Sequence, residues 1–218
     1  MNRKTPFAVD EYYHIYNRGT DKREIFSNDQ DYNRFIGLLY LCNTKKPIVF
    51  REIPRGDTYG FEREETIVDI GAYCLMPNHF HLLLREKIEG GITHFMKKVA
   101  TGYSMYFNLS YQRTGKLMEG VFKSIRVEND QHLEYLFAYI HLNPLKLRDL
   151  HNLGTIDINP EREQNYLFNY LYSSFYEYME IPRPENRVIS KETFPEYFRN
   201  KKDFITYLFT WIKNPIHT

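Results

Sequence analysis

Two kinds of hydrophobic pattern divide the chain into predicted strands and helices. Four segments are rich in β-favouring residues and end at turn residues, which predicts β-strands. These segments are Tyr12–Tyr16, Ile67–Met76, His79–Glu86 and Leu117–Val127. Only Pro77 and Asn78 separate the second segment from the third, so these two strands are expected to form a hairpin.

A period of 3.6 residues predicts three helices between and after the strands. The first covers Asp29–Asn43. The second follows Gly90 and Gly91, and its apolar stripe consists of Ile92, Phe95, Met96, Val99, Tyr103, Tyr106 and Phe107. The third is capped by Asn129 and Asp130, buries Leu133, Leu136, Phe137 and Ile140, and ends at Pro144.

The resulting order is strand, helix, strand, strand, helix, strand and one added helix. This order is typical of a ferredoxin-like (RRM-like) α+β fold, an antiparallel sheet with helices. Residues 44–65 carry prolines and glycines among charges and are interpreted as an insertion, with a short strand near Ile48–Ile53. Residues 1–150 are expected to form the core domain, and residues 151–218 a C-terminal extension docked on it. Because this fold serves many functions, it does not decide the activity.

Charge and composition restrict the classes of function. The formal net charge is only +1, so any contact with nucleic acid must come from a local patch. Cys42 and Cys74 show no spacing typical of a disulfide or a zinc cluster, which favours a reduced, cytoplasmic protein. The longest apolar run, Ile36–Cys42, is too short to cross a bilayer, and no apolar segment follows the first residues.

His79 and His81 are the first candidate for chemistry. They stand at positions i and i+2 of a predicted strand, so both imidazoles point to the same side while Phe80 points to the other. Two aligned ring nitrogens are half of a metal site. A hydrogen-bonded pair of strand histidines without a metal explains the same pattern, and both interpretations stay open at this point.

Tyr139 and Asn143 are the second candidate. They lie four residues apart in a predicted helix, so a phenol and an amide oxygen share one edge beside the core stripe. Asn143 could complete a ligand set for a hard divalent ion, Mg²⁺ or Mn²⁺, and Tyr139 could then reach a substrate. Tyr103 and Tyr106 lie within an apolar stripe and are expected in the core. Taken alone, Tyr139 also fits a packed tyrosine.

Basic residues near these motifs are candidates for phosphate contacts. Each of them also fits solvated surface charge. The candidates are Arg18, Lys97, Lys98, Arg113, Lys116, Lys123, Arg126 and Lys146. Gly19, after Arg18, either allows a close approach to a DNA backbone or satisfies the φ angle of a turn.

Four sequence blocks in order resemble the REP-associated tyrosine transposases of the single-tyrosine HUH superfamily. They are Tyr13–Gly19 (YHIYNRG), Met76–Leu83 (MPNHFHLL), Gly115–Ser124 and Tyr139–Lys146 (YIHLNPLK). A weaker match at Tyr172–Phe175 extends the resemblance to roughly residues 11–178. Four blocks in the right order are far more specific than one His-x-His pair.

The resemblance implies an HUH nuclease domain that recognises folded-back single-stranded DNA and cuts it. His79 and His81 would be metal ligands, Asn143 the third ligand, and Tyr139 the nucleophile that forms a 5'-phosphotyrosine. The resemblance does not decide whether Tyr139 serves its own site or that of a homodimer partner. One departure is Val121, where relatives usually carry Arg before the aromatic-Lys-Ser segment, so one phosphate contact of the family is in doubt.

Two other classes of function compete with this hypothesis. A non-catalytic RNA- or DNA-binding module with the same sheet would stack bases on exposed aromatic rings, and would leave Tyr139 and the histidines without a task. A metallohydrolase that uses water as its nucleophile needs a further His or carboxylate ligand near His79, and none stands at an obvious spacing. A covalent adduct between protein and DNA is expected only for the transposase.

Overall fold

The computed structural model describes residues 6–49, 52–53, 56–149 and 159–213. The strands among them are β1 (Tyr12–Arg18), β2 (Val68–Met76), β3 (His79–Glu86) and β4 (Lys123–Arg126). The α-helices are α1 (Asp29–Leu41), α2 (Gly91–Ser110), α3 (Asp130–Leu142), α4 (Leu145–Asp149), α5 (Pro160–Asn169), α6 (Phe175–Tyr178) and α7 (Lys201–Lys213). Short 3-10 helices cover Thr20–Lys22, Pro184–Val188 and Lys191–Thr193.

The strands form one antiparallel sheet in the order β2-β3-β1-β4, which is the ferredoxin-like order. The predicted fold class and the hairpin at Pro77 and Asn78 are therefore confirmed. The prediction for the last strand was too long. Met118 makes only an isolated bridge with Gly19, and Gly120 has a φ of 65°. Because left-handed backbone interrupts a ladder, regular pairing begins only at Lys123.

Different helices cover the two faces of the sheet. On one face, Ile15 and Leu82 are fully buried in a cluster with α1 and α2. On the other face, which we call the α3 face, Cys74 and Leu83 pack against α3. Cys74 is directly opposite His81 in the β2-β3 ladder, so the histidine pair lies on the α3 face.

Capping residues set the helix boundaries. The side chain of Asn129 accepts a hydrogen bond from the His132 backbone and begins α3 as predicted. Helix α1 ends at Leu41, two residues before the predicted end. Asn43 instead binds the start of β2: its Oδ1 accepts hydrogen bonds from the N–H groups of Ile67 and Val68.

The described residues of the insertion form no strand where one was predicted. Described residues 48, 49, 52 and 53 of that segment are not in a ladder, and residues 50 and 51 lie outside the described part of the chain. Its far end contacts the helix before it, since Arg63 donates to the Tyr40 carbonyl oxygen at 2.7 Å.

Residues 159–213 pack along the edge of β2 and against α3. The Leu75 N–H donates to the Tyr172 carbonyl, and the Ser174 N–H donates to the Tyr73 carbonyl, both at 2.9 Å. Phe204 is fully buried in the cluster that contains α3. The described part of the predicted extension thus covers the free edge of the sheet.

Two predictions about the environment can be compared with the structure. Cys42 and Cys74 are both buried and free of disulfides. Among the residues that the structure describes, no helix is long and apolar enough to cross a membrane.

Candidate active site

One open cavity of about 350 Å³ lies where the ends of β1 and β3 meet the C-terminal end of α3. Seven of the predicted site residues line it: Arg18, His79, His81, Lys123, Tyr139, Asn143 and Lys146. Five residues that the sequence did not single out complete the lining: Tyr16, Asn17, Lys22, Asn78 and Glu119.

The hairpin between β2 and β3 positions the two histidines. His79 is the first residue of β3, and its ring centroid lies 5.0 Å from that of His81. In the β1-β3 ladder, Arg18 is opposite His79 and Tyr16 is opposite His81. Directly opposed residues share a face, so β1 brings a cation and a phenol to the histidine pair.

A hydrogen bond at Nδ1 orients each histidine ring. His79 Nδ1 lies 2.6 Å from Asn78 Oδ1, and Asn78 donates through Nδ2 to the Lys22 carbonyl at 3.2 Å. An amide oxygen only accepts, so His79 Nδ1 carries the hydrogen and its Nε2 keeps a lone pair. His81 Nδ1 lies 2.8 Å from Nε2 of His14, a residue that sequence reasoning missed.

The imidazoles around the cavity are neutral at neutral pH. Burial lowers the pKa of His79 to about 4, and the positive charges of Lys146 and Arg18 act in the same direction. Burial also lowers the pKa of His14 to about 4 and holds the pKa of His81 well below 6.5. A neutral imidazole is the state in which a ring nitrogen can bind a metal ion.

Tyr139 packs against the histidines of its own chain. Its half-buried ring meets those of His81 and His14 edge-on, at centroid distances of 5.3 and 5.7 Å. Lys146 Nζ lies 4.3 Å from the centroid of the Tyr139 ring. Burial raises the pKa of the phenol, and a hydrogen bond from the Asn143 side chain acts in the opposite direction.

Asn143 follows the last residue of α3 and is 1% exposed. Its amide nitrogen donates to the Tyr139 carbonyl at 2.7 Å, which fixes the side chain at the end of the helix. The Asn143 side chain therefore lines the same cavity as Tyr139, as the spacing of four residues predicted.

Four exposed cations and one carboxylate surround the cavity. The cations are Arg18, Lys22, Lys123 and Lys146. The carboxylate is Glu119, whose Oε2 lies 2.6 Å from Arg18 Nε. The surplus of positive charge suits an anionic ligand such as a phosphodiester.

The remaining candidate cations do not gather at this cavity. They are Lys97, Lys98, Arg113, Lys116 and Arg126. Lys97 and Lys98 belong to α2, which packs on the opposite face of the sheet, and Lys98 donates to two backbone carbonyls at 2.8 and 2.7 Å. Arg126 pairs with Glu11 at 2.8 Å. The eight cations therefore do not share one surface.

Of the two competing tyrosines, Tyr103 lies in the core, as expected, whereas Tyr106 is only partly buried and packs against the core. Tyr103 is fully buried and donates to the Ile25 carbonyl. Tyr106 is half-buried and donates to Asp31 at 3.0 Å. Burial raises the pKa of both phenols. Both residues are on α2, away from the histidine pair.

Some of the missed residues had a signal in the sequence. His14, Tyr16 and Arg18 occupy alternating positions of one strand, the same pattern that identified His79 and His81. Alternation alone would therefore have placed His14 and Tyr16 on the same face as the predicted site residue Arg18. Glu119 had no such signal, because it lies in the irregular backbone before β4.

The structure excludes the turn-angle role considered for Gly19 and places Val121 at the surface. Gly19 has a φ of −64°, so no turn angle requires glycine there. An added Cβ would lie 2.2 Å from the Arg23 carbonyl oxygen, so the close approach of the backbone excludes a side chain. Val121, which stands where relatives carry Arg, is 67% exposed.

Comparisons with known proteins agree with these motifs. Residues 61–143 match the family model for IS200-like transposases. None of the curated protein sequences matches the chain significantly. Among solved structures, a REP-associated tyrosine transposase bound to a REP hairpin matches with a TM-score of 0.52 and 10% sequence identity, over 85% of this chain and 90% of that one.

Because the solved structure is only 10% identical to this chain, the match to it shows a shared fold and nothing more. The family model adds sequence evidence over the segment that contains His79, His81, Tyr139 and Asn143. The resemblance seen in the sequence blocks is thus confirmed, and residues 61–143 of the chain are similar to the IS200-like transposases.

Proposed function

We propose that the protein is a metal-dependent single-strand DNA endonuclease and strand transferase that acts on DNA hairpins through a 5'-phosphotyrosine. The match to IS200-like transposases supports this class of enzyme. The fold shared with a transposase bound to a REP hairpin supports a hairpin substrate. Residues 1–150 would form the nuclease domain and residues 151–218 a docked extension.

One observation carries the proposal: the histidine pair, Tyr139 and Asn143 line one cavity within a single chain. Tyr139 is the half-buried phenol of α3 that packs directly on His81. A binding module without catalysis needs no such arrangement of a phenol and neutral imidazoles. The same geometry supports attack by Tyr139 in its own chain.

The covalent step exchanges one phosphodiester for another. The Tyr139 hydroxyl oxygen attacks the phosphorus, the new O–P bond forms, and the bond from phosphorus to the 3' oxygen breaks. The phenol loses its proton and the leaving 3' oxygen gains one, so no oxidant or nucleotide is consumed. Attack of another strand's 3' hydroxyl on the phosphotyrosine would then release Tyr139 and join the strands.

The cations around the cavity would place the DNA. Lys146 provides positive charge beside the Tyr139 ring, which favours loss of the phenolic proton. Arg18, Lys22 and Lys123 would contact neighbouring phosphates. Glu119 holds Arg18 until a phosphate competes for the guanidinium.

The donor set fits a hard divalent ion, Mg²⁺ or Mn²⁺. His79 and His81 would bind it through Nε2, and Asn143 through its amide oxygen. Such an ion would neutralise and orient the scissile phosphate. In the described part of the chain, no three His, Cys, Asp or Glu residues form a metal-binding group, so the phosphate would supply anionic oxygens.

The test is incubation of the protein with Mn²⁺ and single-stranded DNA that flanks its own gene, followed by a denaturing gel. We expect a covalent adduct with the wild type and none with Tyr139→Phe, which loses only the nucleophilic oxygen. Tyr135→Phe is the matched control, because Tyr135 is a neighbouring phenol of α3 with its centroid 5.9 Å from that of Tyr139. Tyr103→Phe should also retain cleavage.

Each competing hypothesis predicts a different result on the denaturing gel. DNA binding without cleavage would indicate a binding module, and cleavage without an adduct would indicate water as the nucleophile. An adduct that persists in Tyr139→Phe and disappears in Tyr103→Phe would place the nucleophile on α2.

A further inference from the structure

We infer that His14 is a positioning residue that sets the ring tautomer of His81, so that His81 offers Nε2 to a divalent ion. The inference rests on the proposed function, in which His81 is a metal ligand. It assigns a role to a buried histidine of β1 that the proposed reaction does not use directly.

The geometry of the two rings carries this inference. His14 Nε2 and His81 Nδ1 are 2.8 Å apart, and both residues are 6% exposed. The rings are stacked at a centroid distance of 5.0 Å with 26° between their planes. Tyr139 closes over both rings edge-on. Neither imidazole can therefore turn to another partner without repacking the site.

A neutral imidazole has one donor nitrogen and one acceptor nitrogen, so this hydrogen bond has two possible directions. If His81 Nδ1 donates, His81 Nε2 keeps its lone pair for a metal. If His14 Nε2 donates, the hydrogen of His81 sits on Nε2 and blocks ligation there. Metal binding through Nε2 therefore requires His14 to accept.

His79 shows the same arrangement with a different partner. Its Nδ1 must donate to Asn78 Oδ1, which cannot donate in return. The Nε2 atom of His79 is thus available to a metal ion whichever tautomer His81 adopts. His14 differs from Asn78 because an imidazole can accept or donate, so the availability of His81 depends on the tautomer of His14. Such outer hydrogen-bond partners typically change metal affinity by about 10–100-fold.

The experiment compares His14→Leu, which removes the acceptor, with His14→Gln, which keeps one. Long-range ¹⁵N–¹H NMR of the metal-free protein reports which His81 nitrogen is protonated. Mn²⁺ affinity is measured separately by EPR titration. His94→Gln is the control for loss of one histidine, because His94 is exposed on α2. Circular dichroism verifies that each variant folds.

We expect wild-type His81 to carry its hydrogen on Nδ1, and His14→Leu to shift it towards Nε2 with about a 10-fold or greater loss of Mn²⁺ affinity. His14→Gln should restore both, and His94→Gln should change neither. If the His81 tautomer and the Mn²⁺ affinity of His14→Leu equal those of the wild type, the inference is wrong. If His14→Leu does not fold, the wild-type spectrum alone is the test, and a His81 ring that carries its hydrogen on Nε2 overturns the inference.

The NMR result needs neither metal nor DNA. A tautomer shift in His14→Leu, in a protein that forms no DNA adduct, would overturn the proposed function and leave the positioning role of His14 intact. If the wild type forms the DNA adduct but His14→Leu shows no tautomer shift, the proposed function stands and the positioning role of His14 is overturned.

Discussion

The structure predicts that a single hydroxyl, that of Ser174, stabilises the helix that carries Tyr139. His141 Nδ1 lies 2.7 Å from the Phe137 carbonyl, so Nδ1 donates and Nε2 accepts. Ser174 Oγ lies 2.7 Å from His141 Nε2, so the hydroxyl donates to it. The Tyr73 N–H in turn donates to Ser174 Oγ at 2.9 Å. This chain of bonds joins β2, the extension and α3.

Ser174→Ala removes the middle of this chain. Ser174 and His141 are fully buried, so the change leaves the Tyr73 N–H without its acceptor and His141 Nε2 without its donor. An unsatisfied buried group costs about 1–3 kcal/mol. The expected loss in the free energy of unfolding is therefore about 2–6 kcal/mol, measured by urea denaturation.

Ser173→Ala is the matched control. Ser173 is 1% exposed, but its hydroxyl accepts only a local hydrogen bond of 3.4 Å from the Phe175 N–H. Its replacement should cost less than about 1 kcal/mol. If Ser174→Ala is no more destabilising than Ser173→Ala, the chain of bonds contributes no net stability and the reasoning is refuted.

The same hydrogen bonds predict a pH dependence of stability. Burial lowers the pKa of His141 from 6.5 to about 4, so the unfolded chain takes up a proton before the folded protein does. Stability contributed by His141 is complete above pH 6.5 and is lost as the pH falls towards 4. The loss is about 3 kcal/mol. His141→Gln should show a flatter decline over this window, and parallel curves would contradict the assignment.

Two further variants test the cavity. Lys146→Ala should weaken binding of single-stranded DNA and reduce the slope of log K against log salt concentration by about 0.7, whereas Lys97→Ala on the opposite face should leave that slope unchanged. The slopes are measured by fluorescence anisotropy titrations at several salt concentrations. If the slope of Lys146→Ala equals that of the wild type, Lys146 does not contact the DNA. Gly19→Ala should destabilise the fold by about 1–3 kcal/mol, because its Cβ would lie 2.2 Å from the Arg23 carbonyl oxygen. A thermal melt equal to that of the wild type would show that the backbone relaxes freely.

Most of the fold could be predicted from the sequence, because hydrophobic period and capping are local properties. The hairpin at Pro77 and Asn78 and the helix beginning after Asn129 follow from neighbouring residues alone. The predicted ends of helices and strands were wrong where the native structure does not follow the local sequence preference. Asn43 leaves α1 to bind the start of β2, and Gly120 interrupts the predicted last strand.

The sequence by itself determined which side chains share a face. Strand alternation placed His79 beside His81, and helical spacing placed Tyr139 beside Asn143. Only the tertiary structure decided which partners these side chains have. The contact from His14 to His81 joins residues 67 positions apart, and the ion pair from Arg18 to Glu119 joins residues 101 positions apart. Such contacts depend on the register of the sheet and on how α3 packs over it, which no local pattern specifies.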